Sequence, residues 1–90
     1  MSIRRTKIEI IHDILNSIQK KGGRIKPTHL LYKSNLSYKK MLEYLEELKG
    51  KGMVQEEEEE GKRMYLITDK GAEYIQEYKK IKEFSDSFGL

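Results

Sequence analysis

The segment between Pro27 and Gly50 constrains the fold most, because it contains two helix starts separated by a short turn. Pro27 is the sole proline, and it suits the first position of a helix that ends near Lys33. Ser37 suits the N-cap of a second helix, which ends near Gly50. Residues 34–36 connect the two helices. This order is typical of a helix-turn-helix.

Amphipathic patterns support this motif. A preceding helix from about Lys7 to Lys21 has Thr6 as its N-cap and Glu9 as the capping-box partner. Its apolar residues are Ile8, Ile11, Ile14, Leu15 and Ile18. The apolar residues of the second motif helix are Tyr38, Met41, Leu42, Leu45 and Leu48. Both sets recur at helical spacing, so each helix is expected to bury one face.

A β-hairpin is predicted after the motif. Its first strand begins at Met53, and Gly61 lies in a connecting loop of about four to six residues. The returning strand covers residues 64–67. A short extended piece at residues 24–26 precedes the motif. With the hairpin as its wing, the pattern predicts a winged helix.

The last predicted helix runs from about Asp69 to Phe84, with Thr68 as its N-cap. The tail, residues 85–90, is expected to fray. The predicted fold class is therefore α+β and mostly α. A winged helix-turn-helix domain covers residues 1–68, and a C-terminal helix and tail cover residues 69–90.

Charge is unevenly distributed along the chain. The net charge of the 90 residues is +3, but residues 1–51 hold 12 Lys and Arg against 5 Asp and Glu. Residues 52–90 hold 6 against 10, and five of those acids are consecutive, from Glu56 to Glu60. The basic half contains the helix-turn-helix, which indicates a surface for a polyanion. The acidic half is expected to present a face for a partner other than a polyanion.

The same residues resemble a known family. The run KPTHLLYKSNLSYK at 26–39, followed by EYLEEL at 43–48 and YLIT at 65–68, is similar to the small archaeal winged-helix DNA-binding family. Its members are chromatin-like proteins and predicted transcription regulators. The resemblance implies DNA binding, and it implies a homodimer formed through an antiparallel coiled coil of the C-terminal helix.

The second motif helix carries the main candidates for DNA contact. Ser37, Lys39 and Lys40 lie in its first turn, and recognition helices present their N-terminal residues to base edges. Lysines beside free backbone amides attract an anion. Tyr44 lies at the edge of the apolar face and is a candidate for contact with sugar or phosphate. The alternative is that the lysines form an ordinary solvated face and that Tyr44 is half-buried packing.

Further candidates lie outside this helix. Lys26, Thr28 and His29 surround the start of the first motif helix, where free N–H groups suit a phosphate. Plain capping by Thr28 and a surface or interface position for His29 are the alternatives. Other basic candidates are Arg4 and Arg5 at the N-terminus and Lys62 and Arg63 in the wing. A frayed terminus and a solvated acidic edge strand are the alternatives for these, since the glutamate run repels a phosphate backbone.

The C-terminal helix has a broad apolar arc. Ala72 and Ile75 are expected to dock on their own domain. A longer stripe is expected to pair with a second copy, and it comprises Tyr74, Tyr78, Ile81, Phe84 and Phe88. Residues 69–90 would then be the dimerisation element. The alternative is that the whole stripe folds back over the first helix.

Several classes of function find no support in the sequence. Cysteine is absent and the two histidines, His12 and His29, are far apart along the chain, so no metal or other cofactor is predicted. A solvated side chain is expected for His12. Enzyme activity is not expected, because no nucleophile–base pair or Gly-rich phosphate loop stands out. No stretch is long and apolar enough to span a bilayer, and no secretory signal is visible.

Two functions follow from these observations. The first is a cytoplasmic, nucleoid-associated homodimer that regulates transcription or packages DNA by inserting helix 37–50 into the major groove of double-stranded DNA. The alternative is a winged helix that binds another protein through its acidic wing or C-terminal helix and never touches DNA. RNA is a weaker candidate, because no exposed aromatic pair on a sheet is predicted.

Overall fold

The computed structural model describes residues 5–89. Its elements, in chain order, are α1 (Lys7–Lys20), β1 (Arg24–Ile25), α2 (Pro27–Ser34), α3 (Tyr38–Gly50), β2 (Val54–Glu59), β3 (Lys62–Ile67) and α4 (Asp69–Ser87). The strands form an antiparallel sheet in the order β1-β3-β2, so β2 lies at an edge. The predicted winged helix-turn-helix, α+β and mostly α, is confirmed.

The core lies between α1, α2, α3 and the inner face of the sheet. Its buried apolar residues are Ile11, Ile14, Leu15, Ile18, Ile25, Leu30, Met41, Leu45, Leu48, Val54 and Tyr65. The predicted stripes of α1 and α3 are therefore correct over most of their length. They are wrong at Ile8 and Tyr38, which are 59% and 52% exposed. Each of these residues lies in the first turn of its helix, beyond the elements that cover the rest of the stripe.

Three of the helix starts use the predicted caps. Thr6 accepts a hydrogen bond from the backbone N–H of Glu9, whose carboxylate in turn accepts one from the N–H of Thr6. The Ser37 hydroxyl accepts from the backbone of α3, and the Thr68 hydroxyl accepts from that of α4. The start of α2 differs, because its N-cap is Lys26, whose side chain has no acceptor atom and makes no capping hydrogen bond.

The hairpin differs most from its prediction. Strands β2 and β3 pair from Val54–Ile67 to Glu59–Lys62, so the turn between them is only Glu60 and Gly61. Both turn residues have positive φ, at 54° and 76°, as in the type I′ turns that join twisted antiparallel strands. The predicted loop was too long because the glutamates join the strand instead of leaving it. Their side chains alternate between the two faces, which halves the repulsion on each face.

Helix α4 begins inside the domain and ends outside it. A Cβ atom built on Gly71 would lie 2.4 Å from the Met53 carbonyl oxygen and 2.8 Å from the Ile67 side chain, so only glycine allows this approach. At the other end α4 continues past the predicted end at Phe84 to Ser87. The molecule is correspondingly elongated, with principal extents of 49 × 32 × 22 Å.

Residues 5–89 offer neither a membrane-spanning helix nor a cluster of metal ligands. None of the helices described there is both long and apolar enough to cross a membrane. No three His, Asp or Glu side chains in the same part of the chain converge in a way that would hold a metal ion.

Candidate nucleic-acid interface

The first turn of α3 projects from the domain. Ser37, Tyr38, Lys39 and Lys40 are all exposed, whereas the next residue, Met41, is fully buried. Within residues 5–89, Lys39 forms no ion pair, and Lys40 approaches a carboxylate of Glu43 at 3.6 Å with both groups more than half exposed. Such an exposed pair holds its lysine weakly. Two ammonium groups are therefore available beside the N-terminus of this helix.

Carboxylates occupy the rest of the outer face of α3. The Glu47 carboxylate lies 3.0 Å from Lys7 Nζ and 3.4 Å from Lys51 Nζ. The hydrogen bond from Lys7, with a further one from Lys51, lowers the pKa of Glu47. Tyr44 is half-buried and lines a shallow groove together with Lys7, Lys40, Glu43 and Glu47. Positive charge on α3 is thus concentrated in its first turn, which is where the sequence placed the principal contacts.

The three candidates around the start of α2 do not form one cluster. Lys26 is exposed and lies on the side of the wing, where it shares a groove with Lys62 and Arg24 and with the carboxylates of Glu59 and Glu60. His29 is half-buried and faces α1 instead. Thr28 is exposed at the second position of the helix, so it is not the cap of α2. A phosphate contact by Thr28 stays a prediction, while Lys26 and Lys62 are brought together.

One of the two arginines at the N-terminus, Arg5, makes hydrogen bonds within the domain. Arg4 lies outside the described residues. The guanidinium of Arg5 donates hydrogen bonds to the Asp13 carboxylate at 3.0 Å and to the Ser34 carbonyl oxygen at 2.9 Å. Arg5 therefore connects the start of α1 to the end of α2. Its contact with DNA stays a prediction, and any phosphate would have to compete with these two acceptors.

A carboxylate in the hairpin holds two of the basic side chains near α3. Glu56 lies 2.8 Å from Lys49 Nζ and 3.0 Å from Arg63 Nε. We name Glu56, Lys49 and Arg63 the Glu56 cluster. The pKa of Lys49 is raised by its hydrogen bonds to Glu56 and Glu46. The pKa of Arg63 is raised by a hydrogen bond with Tyr65 and then by the charge of Glu56. Arg63 is thus engaged with its own hairpin.

The strand register fixes which glutamates share the face of Arg63. Glu56 pairs with Tyr65 and Glu58 pairs with Arg63, so these carboxylates lie on the face that meets α3. Glu57 lies on the opposite face, and so does Glu59, which forms an ion pair with Arg24. Lys62 makes no ion pair within the described residues and lies directly after the turn. Only half of the acidic strand therefore faces the same way as α3.

Sequence reasoning missed two exposed tyrosines. Tyr38 was assigned to the core, but it lies in the first turn of α3, close enough to Arg63 to contribute to the raised pKa of that residue. Tyr32 on α2 is 84% exposed. Its exposure was predictable, because Leu30 and Leu31 face inward and direct the next side chain outward. Tyr38 therefore joins Lys39 and Lys40 as a candidate contact residue.

The five residues proposed for self-association separate into two groups. The Tyr74 hydroxyl donates to the Ile8 carbonyl oxygen at 3.1 Å, and the Tyr78 ring stacks on His12 with 4.1 Å between ring centroids. His12 was expected to be solvated, but this stacking covers it and leaves its side chain 21% exposed. The remaining residues of the group are exposed: Ile81, Phe84 and Phe88. A groove of about 490 Å³ runs between Ile81 and the start of α1, and neither Phe84 nor Phe88 lines it.

Comparison with known proteins gives a consistent result. A family model described as winged helix-turn-helix matches residues 4–86. The solved structure of Sso10a-2, a DNA-binding protein from Sulfolobus solfataricus, is 28% identical with a TM-score of 0.77, over 94% of this chain and 90% of that one. No curated protein sequence matches this chain.

Two less identical structures share the fold. F93 from STIV, described as a winged-helix DNA-binding protein, is 17% identical with a TM-score of 0.72, over 89% of this chain and 92% of that one. The transcriptional regulator Tm0710 from Thermotoga maritima is 20% identical with a TM-score of 0.67, over 90% of this chain and 61% of that one.

Proposed function

This chain belongs to the winged helix-turn-helix family, and from that membership we propose that it binds double-stranded DNA as a transcription regulator or chromatin-like protein. The observation that carries the proposal is the exposed first turn of α3, where the ammonium groups of Lys39 and Lys40 lie beside the N-terminus of the helix. A recognition helix enters the major groove with this end first. The similarity to Sso10a-2, itself a DNA-binding protein, supports the same function.

The proposed complex depends mainly on phosphate contacts around that helix. Lys26 and Lys62 share the wing side of the domain and are exposed, so they suit the backbone on one flank. Tyr38 and Ser37 lie beside the lysines of α3 and suit sugar or base edges. Affinity is therefore expected to fall steeply as the salt concentration rises, because each lysine–phosphate contact releases counterions.

The test is charge reversal in the first turn of α3. The double variant K39E/K40E should lose roughly 100-fold in affinity for a duplex at low salt, since two attractive contacts become repulsive. Fluorescence anisotropy with a labelled duplex at low and moderate salt measures the change. The matched control is K79E/K80E, which makes the same charge change on exposed residues of α4.

The rival function predicts a different result from the same titration. A winged helix that binds only protein would have negligible affinity for the duplex in the wild type and in both variants. An equal loss in K39E/K40E and K79E/K80E would also contradict the proposal, because it would show a response to net charge without any role for α3.

We also propose that the protein is a homodimer formed through the second half of α4. Ile81, Phe84 and Phe88 are 64–66% exposed, and Ile8, which is 59% exposed, lines a groove together with Ile81. A second copy would cover this apolar surface, and Tyr74 and Tyr78 would support it from the α1 side. Two recognition helices would then reach half-sites about one helical turn apart.

Sedimentation at tens of micromolar tests the dimer. The wild type should sediment as a dimer, and I81E should sediment as a folded monomer because it places a charge on the covered surface. Q76E adds the same charge at an exposed residue of α4 that does not line the groove, and it should leave the dimer intact. A monomeric wild type would contradict the dimer while leaving DNA binding by a single domain open to its own test.

We propose neither a catalytic role nor a cofactor for this protein. Its partners are double-stranded DNA and a second copy of the chain. We place this activity in the cytoplasm in association with the nucleoid, because that is where a DNA-binding protein of an archaeal cell meets duplex DNA.

A further inference from the structure

A basic cavity lies between α1 and α2, and no residue of α3 lines it. Its volume is about 330 Å³, which falls within the range of small-molecule sites. Its lining residues are Asn16, Ser17, Lys20, Lys21, Ile25, His29 and Lys33. No aspartate or glutamate is among them. We name this feature the α1–α2 cavity.

The three lysines that line this cavity lack carboxylate partners, as do several other lysines in the described part of the chain. Lys20, Lys21 and Lys33 form no ion pair within residues 5–89, whereas Lys49 and Lys51 each lie within 3.4 Å of a carboxylate. Three like charges around one depression repel one another, so the arrangement is most stable when an anion enters it. The cavity therefore has an excess of positive charge that no side chain in this region offsets.

The neutral side chains around the cavity complete a donor set. The Asn16 amide and the His29 ring can each donate a hydrogen bond to an oxyanion. Ser17 contributes differently, because its hydroxyl donates to the Asp13 carbonyl oxygen at 2.7 Å. Ser17 is thus not a donor to a ligand. The available donors are three ammonium groups, an amide and an imidazole, which together suit a group with several oxygens and more than one negative charge.

We propose that the α1–α2 cavity binds a phosphate group. A single carboxylate would satisfy only part of this donor set, whereas a phosphate monoester or a pyrophosphate has enough charge and enough oxygens for three lysines. Two sources supply this chemistry. One is a small phosphorylated molecule held in the cavity as an effector, and the other is a backbone phosphate of DNA flanking α2.

The experiment uses pyrophosphate as the probe and the full chain, labelled with ¹⁵N for NMR. Titration should shift the backbone resonances of Lys20, His29 and Lys33 with saturation. The variant K20Q/K33Q should bind pyrophosphate about tenfold more weakly, because it loses two charge-assisted hydrogen bonds. The control K79Q/K80Q removes the same charge from α4 and should bind as the wild type does.

A duplex titration distinguishes the two sources. If the ligand is a DNA phosphate, K20Q/K33Q also weakens duplex binding and lowers the magnitude of the salt slope by about one for each lost contact. If the ligand is a small phosphorylated molecule, K20Q/K33Q loses pyrophosphate binding and keeps its duplex affinity. The pyrophosphate arm does not depend on DNA binding, so failure of the proposed function leaves this test intact.

Two outcomes would overturn the inference. In the first, pyrophosphate shifts resonances near exposed lysines of α4 as strongly as those of the α1–α2 cavity, which would mark general attraction to a basic protein. In the second, K20Q/K33Q binds pyrophosphate with wild-type affinity while its spectrum shows an unchanged fold. The substituted side chains are exposed at their ends, so the fold is expected to survive the change.

Discussion

The first turn of α3 and the hairpin each carry two adjacent basic residues, yet they offer very different charge to a ligand. Lys39 is free of ion pairs within residues 5–89, and its neighbour Lys40 has only a long, exposed one. In the hairpin, Arg63 is 3.0 Å from Glu56 and shares its face of the sheet with Glu58. The charge available at a surface therefore depends on the strand register and on neighbouring carboxylates as well as on the number of basic residues.

Neutralising each basic pair in turn tests this comparison most directly. K39Q/K40Q should weaken duplex binding roughly 30-fold at low salt, because two unhindered phosphate contacts are lost. K62Q/R63Q removes the same charge but should weaken binding by only about fivefold, since the Lys62 contact is lost in full while Arg63 is already engaged with Glu56. Anisotropy titrations at matched salt measure both. Equal losses would show that the Glu56 cluster opens freely when DNA arrives.

Substituting Gly71 should change the stability of the domain without changing the DNA contacts proposed for α3. G71A should lower the free energy of unfolding by about 2 kcal/mol, because the added methyl group overlaps the Met53 carbonyl oxygen at the base of β2. Urea denaturation measures this loss. G50A is the control, since a Cβ at Gly50 meets nothing within 4 Å. Where G71A is still folded, it should keep most of its duplex affinity, because the first turn of α3 does not contact Gly71.

Removing the central carboxylate of the hairpin should raise DNA affinity. E56Q removes the carboxylate partner of Arg63 and one of the two carboxylate partners of Lys49, and it should strengthen duplex binding about threefold at low salt. E57Q makes the same charge change on the opposite face of the strand and should have a smaller effect. Titrations of both variants against one duplex give the answer. Identical gains in duplex affinity for E56Q and E57Q would mean that net charge acts at long range and that the Glu56 cluster does not restrain Arg63.

The smallest predicted effect concerns pH. The pKa of Glu47 is lowered by its hydrogen bonds to Lys7 and Lys51, so its charged form stabilises the folded state. This contribution is fully present above the pKa of an unfolded glutamate, about 4.3, and is lost as the pH falls through the lower pKa of the folded state. E47Q should therefore be slightly less stable than the wild type at neutral pH, and the difference should vanish in acid. Thermal unfolding across that range measures it, with E83Q as a control on α4.

Local signals in the sequence predicted much of this structure. Helix starts at Thr6, Ser37 and Thr68 were identified because a capping side chain lies next to the backbone group that it binds. The buried stripes of α1 and α3 were identified because helical spacing alone determines a face. The exposed lysines of α3 follow from the same spacing, since positions outside the stripe must face solvent.

Features that depend on distant residues were not predictable in this way. The length of the hairpin turn depends on whether Glu56–Glu59 can pair with β3, and that depends partly on Lys49 in α3 and on Arg24, which lies 35 residues before Glu59. The coverage of His12 depends on Tyr78, which belongs to the last helix. The engagement of Arg5 requires the end of α2 to pass beside it. The spacing of residues along one element does not predict its contacts with residues of another element.

The acidic strand β2 has a second consequence, because it is an outer strand of the sheet. An unprotected outer strand can recruit a strand from a neighbouring molecule and start a fibre. The glutamates of β2 lie beside its free backbone groups and repel the glutamates of a second molecule. This repulsion keeps separate molecules from pairing edge to edge even when they are crowded along the same DNA. The carboxylates of β2 thus protect the free edge of the sheet from pairing with another molecule.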